Sequence, residues 1–315
     1  MKLRPEFRRL GLLAVTALVL LMTQATTGMP MSNYRIQGSA MTSDSIDIFT
    51  ESFGDSTQPA ILLIMGASAS MIWWDDAFCQ RLADAGRFVI RFDNRDVGQS
   101  TCYPPGEPGY DVEDMADDAV GVLDSYGIDR AHLVGMSLGG MLAQLVALRD
   151  PVRVRSLTLI ATSVWDDRPD LPPISDNVLQ YHARAASVDW NDSTAVIPYM
   201  VGGWRLLSGS AHPFDEAQAE RLARTEVRRA RNLLSMFNHA VLNGGESWYG
   251  KTGRIRVPTL VIHGTEDPVL PYPHANALVE SIPGARLLTL EGVGHEIHRA
   301  TWDTVIDAIV THTGR

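Results

Sequence analysis

The sequence predicts an α/β fold with a mostly parallel sheet, helices on both of its faces and an inserted, mainly helical segment. Short apolar runs alternate with segments of helical periodicity over residues 43–162, and the same alternation returns over 257–313. Between them, over residues 163–256, the alternation stops. Both ends of this insert return to the same predicted sheet, so we expect a lid over its carboxyl edge rather than an independent domain.

The first part of the predicted core contains five strands and three helices. Each strand is a short apolar run, and the first of them partly alternates apolar and polar residues, which is typical of an outer strand. The predicted strands are Ser45–Phe53, Ala60–Met65, Arg87–Phe92, Ala131–Met136 and Val154–Ala161. The predicted helices are Asp76–Ala85, Val112–Leu123 and Met141–Leu148.

The insert and the last part of the chain differ in composition. Prolines and aromatic residues are frequent in the insert, and helical pieces are predicted there at Asp215–Ala223 and Thr225–Leu242. After the insert, the apolar runs Leu260–Ile262 and Ala285–Leu290 predict two further strands. A helix near Thr301–Thr311, with an apolar face, is predicted to complete the core.

Composition and charge narrow the function classes. The chain has 315 residues, of which 45% are apolar and 20% charged, so it is long enough for one large domain with an insertion. Its net charge of −10 argues against nucleic acid or an anionic membrane surface as a partner. We therefore expect a small-molecule partner, while the oligomeric state is left open.

Residues 1–28 differ from the rest of the chain. Four basic residues come first, the apolar run Leu10–Met22 follows, and small and polar residues close the segment. This order is typical of a signal peptide, so we expect a periplasmic or secreted protein. The alternatives are an uncleaved anchor that tethers the protein to a membrane, or a misassigned start codon and a cytoplasmic protein.

Cysteine and histidine usage predicts neither a disulfide framework nor a metal site. The two cysteines, Cys79 and Cys102, are expected as separate thiols, Cys79 on a helix and Cys102 in a loop, with a single bridge as the alternative. His295 and His298 are three residues apart, but no further ligand completes a recognisable metal spacing. We expect a protein without a cofactor.

The segment Gly135–Gly139, with the sequence GMSLG, carries the strongest functional signal. It follows a predicted strand and precedes a predicted helix, which is the context of a nucleophile elbow. In such an elbow the backbone is strained, and side chains two positions either side of the serine would collide. Ser137 is therefore the candidate nucleophile.

A serine nucleophile needs a base and an acid, and both follow in the chain. Asp267 lies in the loop after one predicted strand, and His295 lies just past the end of the next. The carboxyl ends of parallel strands share one edge of a sheet, so these groups can meet Ser137 there. The alternatives are Glu266, Asp166 or Asp167 as the acid and His298 as the base.

Ser137, Asp267 and His295, together with the strand order and the insert, resemble the alpha/beta-hydrolase fold superfamily over roughly residues 43–313. Three segments are similar to its aclacinomycin methylesterase-like branch: LIMGA at 63–67, FDNRDVGQST at 92–101 and WRLLSG at 204–209. Two departures stand out. Many members carry His-Gly where this chain has Met65-Gly66-Ala67, and many have glycine where this chain has Asp96.

The resemblance to this superfamily suggests roles for further residues. The backbone N–H groups of Ala67 and Leu138 are expected to form the oxyanion hole. Asp93, Arg95 and Ser100 are expected to brace a loop near the site, and His263 to pack behind the acid loop. Trp73, Trp74, Trp204 and Met236 are either pocket-lining or core residues.

The leading function hypothesis is a serine hydrolase that cleaves a small to medium apolar carboxylic ester or lactone through an acyl-enzyme. Serine as the nucleophile argues against dehalogenase or epoxide hydrolase chemistry, which uses a carboxylate in this fold. The alternatives on the same triad are a cofactor-free perhydrolase or a C–C hydrolase. A receptor-like ligand-binding protein with slow turnover, or a tethered accessory protein, is the alternative from a different class.

Overall fold

The computed structural model describes residues 46–314, so the segment 1–28 predicted as a signal peptide or anchor lies outside the described residues. Seven strands form one sheet. They are β1 Thr50–Phe53, β2 Ala60–Ile64, β3 Phe88–Phe92, β4 Ala131–Met136, β5 Val154–Ile160, β6 Thr259–Gly264 and β7 Arg286–Leu290.

The sheet has the strand order β1-β3-β2-β4-β5-β6-β7. β1 pairs antiparallel with β3, and every other pairing is parallel. The outer-strand prediction for the first apolar run is thus confirmed, although the strand begins only at Thr50. Strands β4, β5 and β6 are neighbours, which brings the loops after them to one edge of the sheet.

Helices cover both faces of the sheet, as predicted. The α-helices are α1 Asp76–Asp84, α2 Val112–Ser125, α3 Leu138–Arg149, α4 Asp176–Ala183, α5 Ser193–Leu207, α6 Glu216–Arg229, α7 Pro273–Ser281 and α8 Trp302–Thr313. In β2, Leu62 and Ile64 join the core under α2, α3 and α7, whereas Ile61 and Leu63 join the core under α1 and α8. Successive strand side chains point to opposite faces, so an unbroken apolar strand supplies both layers.

The insert departs from its sequence prediction. The single helix expected over Thr225–Leu242 is wrong: α6 ends at Arg229, and a 3₁₀ helix, Leu233–Ala240, follows a short extended link. Asn232 begins that 3₁₀ helix, because its side chain accepts a hydrogen bond from the backbone N–H of Leu234. Helices α4 and α5 were not predicted, and α5 contains a proline, Pro198.

The other 3₁₀ turns are short, and they lie at Met71–Trp73, Pro151–Arg153, Arg184–Ser187, Glu246–Trp248, Thr252–Arg254 and Arg299–Thr301. Helix α7 was also missed by the sequence prediction.

Cys79 on α1 and Cys102 in a loop are both free thiols. Within residues 46–314, no helix is both long enough and apolar enough to cross a membrane.

Candidate active site

Ser137 lies in the turn between β4 and α3, with φ 53° and ψ −121°. A positive φ is strained for a residue with a Cβ, so the surrounding contacts must hold it. The Ser137 backbone N–H donates to the Ile160 carbonyl at 3.0 Å, and the Thr162 hydroxyl donates to the Ser137 carbonyl at 2.6 Å. Strand β5 and the residues after it therefore fix the serine backbone.

Glycine is needed on both sides of this turn. A Cβ added at Gly135 would overlap the backbone of Gly139, and one added at Gly139 would overlap the carbonyl oxygen of Ile64 in β2. The collision expected from the sequence thus arises, and for Gly139 the obstacle is a neighbouring strand. Gly140 is similarly crowded, since its Cβ would lie 2.6 Å from Cγ2 of Thr162.

Asp267 and His295 meet as the sequence predicts. Nδ1 of His295 lies 2.7 Å from Oδ2 of Asp267, and both side chains are buried. The other oxygen, Oδ1, accepts from the backbone N–H groups of Val269 and Leu270, each at 2.8 Å. Burial acts to raise the pKa of the Asp267 carboxyl, but the charge of His295 and hydrogen bonds from His263 and His295 hold this pKa well below its usual range.

A second histidine supports the acid. Nε2 of His263 lies 2.7 Å from the Leu270 carbonyl oxygen and 3.4 Å from Oδ2 of Asp267. The predicted position of His263 behind the acid loop agrees with this geometry. The same carboxylate oxygen therefore faces two imidazoles, of which only His295 also reaches the cavity described below.

The residues considered as alternative acids and as the alternative base form hydrogen bonds with other parts of the chain. Glu266 accepts from the backbone N–H and the hydroxyl of Ser210, at 2.8 and 2.7 Å. Asp166 accepts from the backbone N–H of Asp167. His298 is half-buried, with Nε2 3.1 Å from the Pro213 carbonyl oxygen. Within the described part of the chain, none of these residues forms a hydrogen bond with His295, which bonds Asp267 and the Leu207 carbonyl instead.

The loop that carries His295 is held by the end of α5. The backbone N–H of His295 donates to the Leu207 carbonyl at 2.8 Å. Gly294 must be glycine here, because a Cβ would overlap that same carbonyl oxygen. The Glu296 carboxylate accepts from the Gly209 N–H at 3.0 Å and the Ser208 hydroxyl at 3.1 Å. The segment 204–209, noted in the sequence as a motif, thus packs on the histidine loop.

Ser137 and His295 line one cavity of about 190 Å³. Its walls are mainly apolar and come from the core loop at Ala67 and from the insert. Two of the predicted pocket residues, Trp204 and Met236, are among them. The insert contributes further apolar and aromatic side chains: Ile174, Val178, Tyr181, Tyr199, Met200, Leu207 and Phe237.

Trp73 lies outside the cavity of Ser137, contrary to its assignment as a pocket residue there. It lines a neighbouring cavity of about 100 Å³, as does Trp74. Trp204 lines both cavities and stacks on Trp73, with ring centroids 4.0 Å apart. Met65 and Met136 also line both cavities, so the Trp73–Trp204 pair forms part of the wall between them.

The two backbone donors predicted for an oxyanion hole lie on either side of Ser137. Leu138 is the first residue of α3, so its N–H has no acceptor within the helix. Ala67 lies in the loop after β2, and among the described residues its N–H donates to no protein acceptor. This loop approaches the serine closely, since a Cβ at Gly66 would lie 3.1 Å from Cβ of Ser137.

Asp93, Arg95 and Ser100 brace the loops beside the site. The Ser100 hydroxyl donates to the Asp93 carbonyl at 2.6 Å, and Arg95 forms a buried two-pronged ion pair with Asp118. Asp93 also accepts two hydrogen bonds from Arg229 of α6, each at 2.9 Å. No sequence pattern signals this role of Arg229, because its partner lies 136 positions away in the chain.

A buried carboxyl, Glu226, sits next to this ion pair and was also missed. The Ser70 hydroxyl donates to Oε2 of Glu226 at 2.6 Å, and the Trp73 indole N–H donates to the same oxygen at 3.2 Å. Burial raises the pKa of Glu226 to about 7, and the nearby charge of Asp93 acts in the same direction.

Asp96 explains one departure from the family pattern. Its φ of 70° is the conformation in which glycine is common. The carboxylate accepts from the Tyr103 backbone N–H at 2.6 Å, the Tyr110 hydroxyl at 2.6 Å and the Asn238 side-chain amide at 2.8 Å. These three hydrogen bonds offset the strain of a side chain at this position.

Comparisons with known proteins agree with this architecture. A family model described as serine aminopeptidase, S33 (Hydrolase_4), matches residues 55–301. The chain is 33% identical to rhodomycin D methylesterase DauP of Streptomyces sp. (strain C5), over 87% of this chain and 97% of that protein. It is 32% identical to rhodomycin D methylesterase DnrP of Streptomyces peucetius, with the same coverage.

Solved structures show the same fold. A hydrolase from Pseudomonas aeruginosa, 28% identical, superposes with a TM-score of 0.65 over 87% of this chain and 97% of that one. The esterase EaEST from Exiguobacterium antarcticum, 22% identical, gives a TM-score of 0.68 with the same coverage and bears on the fold alone. The resemblance stated from the sequence is thereby confirmed: the chain belongs to the Hydrolase_4 family of alpha/beta-hydrolases.

Proposed function

We propose that this protein is a serine carboxylic ester hydrolase, with Ser137 as nucleophile, His295 as base and Asp267 as the acid that orients His295. The observation that carries the proposal is the 2.7 Å hydrogen bond between His295 and Asp267 at a cavity that Ser137 also lines. The Hydrolase_4 family and the two methylesterase relatives support the carboxylic ester hydrolase class.

The proposed mechanism has two steps. Because Nδ1 of His295 is held by Asp267, Nε2 is the nitrogen that takes the Ser137 proton as Oγ attacks the ester carbonyl carbon. The negative oxygen of the tetrahedral intermediate is stabilised by the N–H groups of Ala67 and Leu138. The intermediate then expels the alcohol, which takes the proton from His295, and leaves an acyl-Ser137. Water activated by His295 then hydrolyses this ester and restores the serine.

The cavity suggests the substrate. Its mainly apolar walls favour an apolar acyl or alcohol group, and its volume of about 190 Å³ favours a small to medium ester or lactone. The relatives are named as methylesterases, which makes methyl esters the first substrates to test. We also propose that the insert acts as a lid, because α4, α5 and the 3₁₀ helix Leu233–Ala240 all supply cavity walls.

The experiment that tests the function is labelling with a fluorophosphonate, read by intact mass, followed by turnover of methyl and short-chain esters. We expect one adduct on the wild type, none on Ser137→Ala, and an unchanged adduct on the control Ser210→Ala, whose hydroxyl binds Glu266 instead. Absence of both adduct and turnover in the folded wild type would refute the proposal. Labelling without steady-state turnover would favour the ligand-binding alternative.

The same panel separates the other reactions of this triad. Turnover of a vinylogous 1,5-diketone at a higher rate than ester hydrolysis would favour a C–C hydrolase. Peroxyacid formation from an ester and hydrogen peroxide at a higher rate than ester hydrolysis would favour a perhydrolase.

Export through residues 1–28 remains our proposal on the sequence alone. Cell fractionation with sequencing of the mature N-terminus tests it, and an intact N-terminus in the membrane fraction would indicate a tether instead.

A further inference from the structure

The loop Met65–Ala69, which carries the proposed oxyanion donor Ala67, contains a strained residue in addition to the strained Ser137 of the turn after β4. Ser68 has a φ of 60°, a conformation that is uncommon for a residue with a side chain. Two hydrogen bonds that Ser68 donates to the insert hold it in this conformation. The Ser68 backbone N–H donates to Nδ1 of His239 at 2.9 Å, and the Ser68 hydroxyl donates to the Met236 carbonyl at 2.8 Å.

His239 has a defined tautomer in this position. Its Nε2 lies 2.7 Å from the Arg95 carbonyl oxygen, which can only accept, so Nε2 carries the hydrogen. Nδ1 is then the bare nitrogen that accepts from Ser68. The ring is almost fully buried, and burial lowers the pKa of His239, which keeps the imidazole neutral. One ring thus joins the insert to the loop after β2 and to the loop after β3.

The peptide group that bears the Ala67 N–H lies between two fixed peptide groups. On one side, the Asn94 side-chain amide donates to the Met65 carbonyl at 3.1 Å, which fixes the preceding peptide from the core. On the other side, the His239 bond fixes the following peptide through the Ser68 N–H. The direction of the Ala67 N–H therefore depends on both contacts, and only His239 comes from the insert.

We infer that His239 is a positioning residue for the reaction: by holding the Ser68 N–H it orients the Ala67 N–H toward the oxyanion. This inference rests on the function proposed above. On this inference, the oxyanion hole is complete only when the 3₁₀ helix Leu233–Ala240, which carries His239, is docked on the core. The same helix also contributes Met236 to the cavity wall. The expected cost is smaller than the ~100–1,000-fold loss seen when an oxyanion donor is deleted, because Ala67 N–H is displaced rather than removed.

The two nitrogens of His239 can be tested separately. In His239→Asn, the amide oxygen can replace Nδ1 as the acceptor for Ser68, but the bond to Arg95 is lost. In His239→Gln, the longer amide can replace Nε2 as the donor to Arg95, but the acceptor for Ser68 is lost. We expect His239→Gln to lower kcat for a short ester by about 10- to 100-fold with KM within about threefold, and His239→Asn to keep kcat within about threefold.

A control separates positioning from general stability. His132→Asn removes another buried histidine, whose Nδ1 lies 2.7 Å from the Ser156 hydroxyl, near the amino-terminal ends of β4 and β5 and opposite to the ends that lead to the cavity. It is expected to lower the thermal midpoint without lowering kcat. Equal kcat losses in His239→Asn and His239→Gln, or no loss in either, would overturn the inference.

The same set of variants also covers two other cases, a His239 variant that does not fold and a failure of the proposed function itself. If His239→Gln does not fold, His239→Leu, which also lacks an acceptor for the Ser68 N–H, takes its place: a kcat loss of tenfold or more relative to His239→Asn supports the inference, and equal kcat values overturn it. Failure of the underlying function is distinguishable, because the wild type would then show neither ester turnover nor a fluorophosphonate adduct. Wild-type turnover with indistinguishable His239 variants would overturn only the positioning role.

Discussion

Oδ2 of Asp267 lies 2.7 Å from Nδ1 of His295, while Oδ1 of the same carboxylate accepts two backbone N–H bonds at 2.8 Å from the loop that follows it. The loop therefore fixes the orientation of the carboxylate before the histidine is considered. A carboxylate held in this way selects one imidazole tautomer and leaves the other nitrogen for the serine proton.

The Asp267–His295 pair leads to a prediction about tautomer control. Asp267→Asn keeps the size of the side chain but removes the charge, so kcat should fall by about 10⁴-fold, as expected when the wrong tautomer is favoured. The matched control is Glu266→Gln, the adjacent acid, which binds Ser210 and should leave kcat within about threefold. Ester hydrolysis under saturating substrate measures both, and equal losses in the two variants would argue against Asp267 as the acid.

The glycines of the turn predict a steric effect on stability. Gly139→Ala places a Cβ on the Ile64 carbonyl oxygen of a buried strand that cannot move away, so we expect a loss of at least about 2–3 kcal/mol in the free energy of unfolding. Gly253→Ala is the control, because the nearest atom to its Cβ, the Ser281 carbonyl oxygen, is 3.4 Å away. Thermal unfolding of both variants checks this, and a near-native midpoint for Gly139→Ala would contradict the packing argument.

Glu226 predicts a pH dependence of stability. Its pKa is raised to about 7 in the folded protein, so between about pH 4.5 and 7 the unfolded chain has lost this proton while the folded chain keeps it. The contribution of the protonated Glu226 to stability is complete below about pH 4.5 and is lost as the pH rises through about 7. Glu226→Gln cannot ionise, so relative to wild type it should gain about 1–3 kcal/mol between pH 5 and pH 8.

The measurement for Glu226 is the thermal midpoint of wild type and Glu226→Gln at several pH values from 5 to 8. Glu220→Gln, on the same helix but with a half-exposed side chain paired with Arg224, provides the control and should follow the wild type. Parallel curves for wild type and Glu226→Gln would show that the buried carboxyl does not titrate in this range.

Trp204 predicts a change in chain-length preference. Because it lines both cavities and stacks on Trp73, Trp204→Ala should join the spaces of about 190 and 100 Å³. A longer acyl chain could then bury more methylene groups, each worth ~0.8 kcal/mol. We expect the ratio of kcat/KM for octanoyl over acetyl esters to rise by about tenfold or more, from two or three extra buried groups.

The control for this variant is Trp248→Ala, since Trp248 lines neither cavity and its indole N–H bonds Glu113 instead. It should leave the octanoyl-to-acetyl ratio unchanged. An unchanged ratio in Trp204→Ala would indicate that the acyl group does not extend toward this wall.

Much of the core and of the candidate site is local in sequence and could be predicted. Apolar runs between turns mark buried parallel strands, and the residues just past their ends share one edge of the sheet. Ser137, Asp267 and His295 all occupy such positions, and the glycines at 135 and 139 mark a turn that tolerates no Cβ. These features depend on a few neighbouring residues, so their pattern is visible in the chain alone.

The contacts that the insert makes with the core were decided only by the tertiary structure. His239 contacts Ser68 across 171 positions, and Glu226 contacts Ser70 across 156. No periodicity connects residues so far apart, because such pairs depend on where separate helices dock rather than on local conformation. The same holds for Trp73, which the sequence could not assign to one cavity or the other. The sequence alone determined the sheet and the order of the catalytic candidates, whereas the shape of the cavity and the support of its loops came from packing.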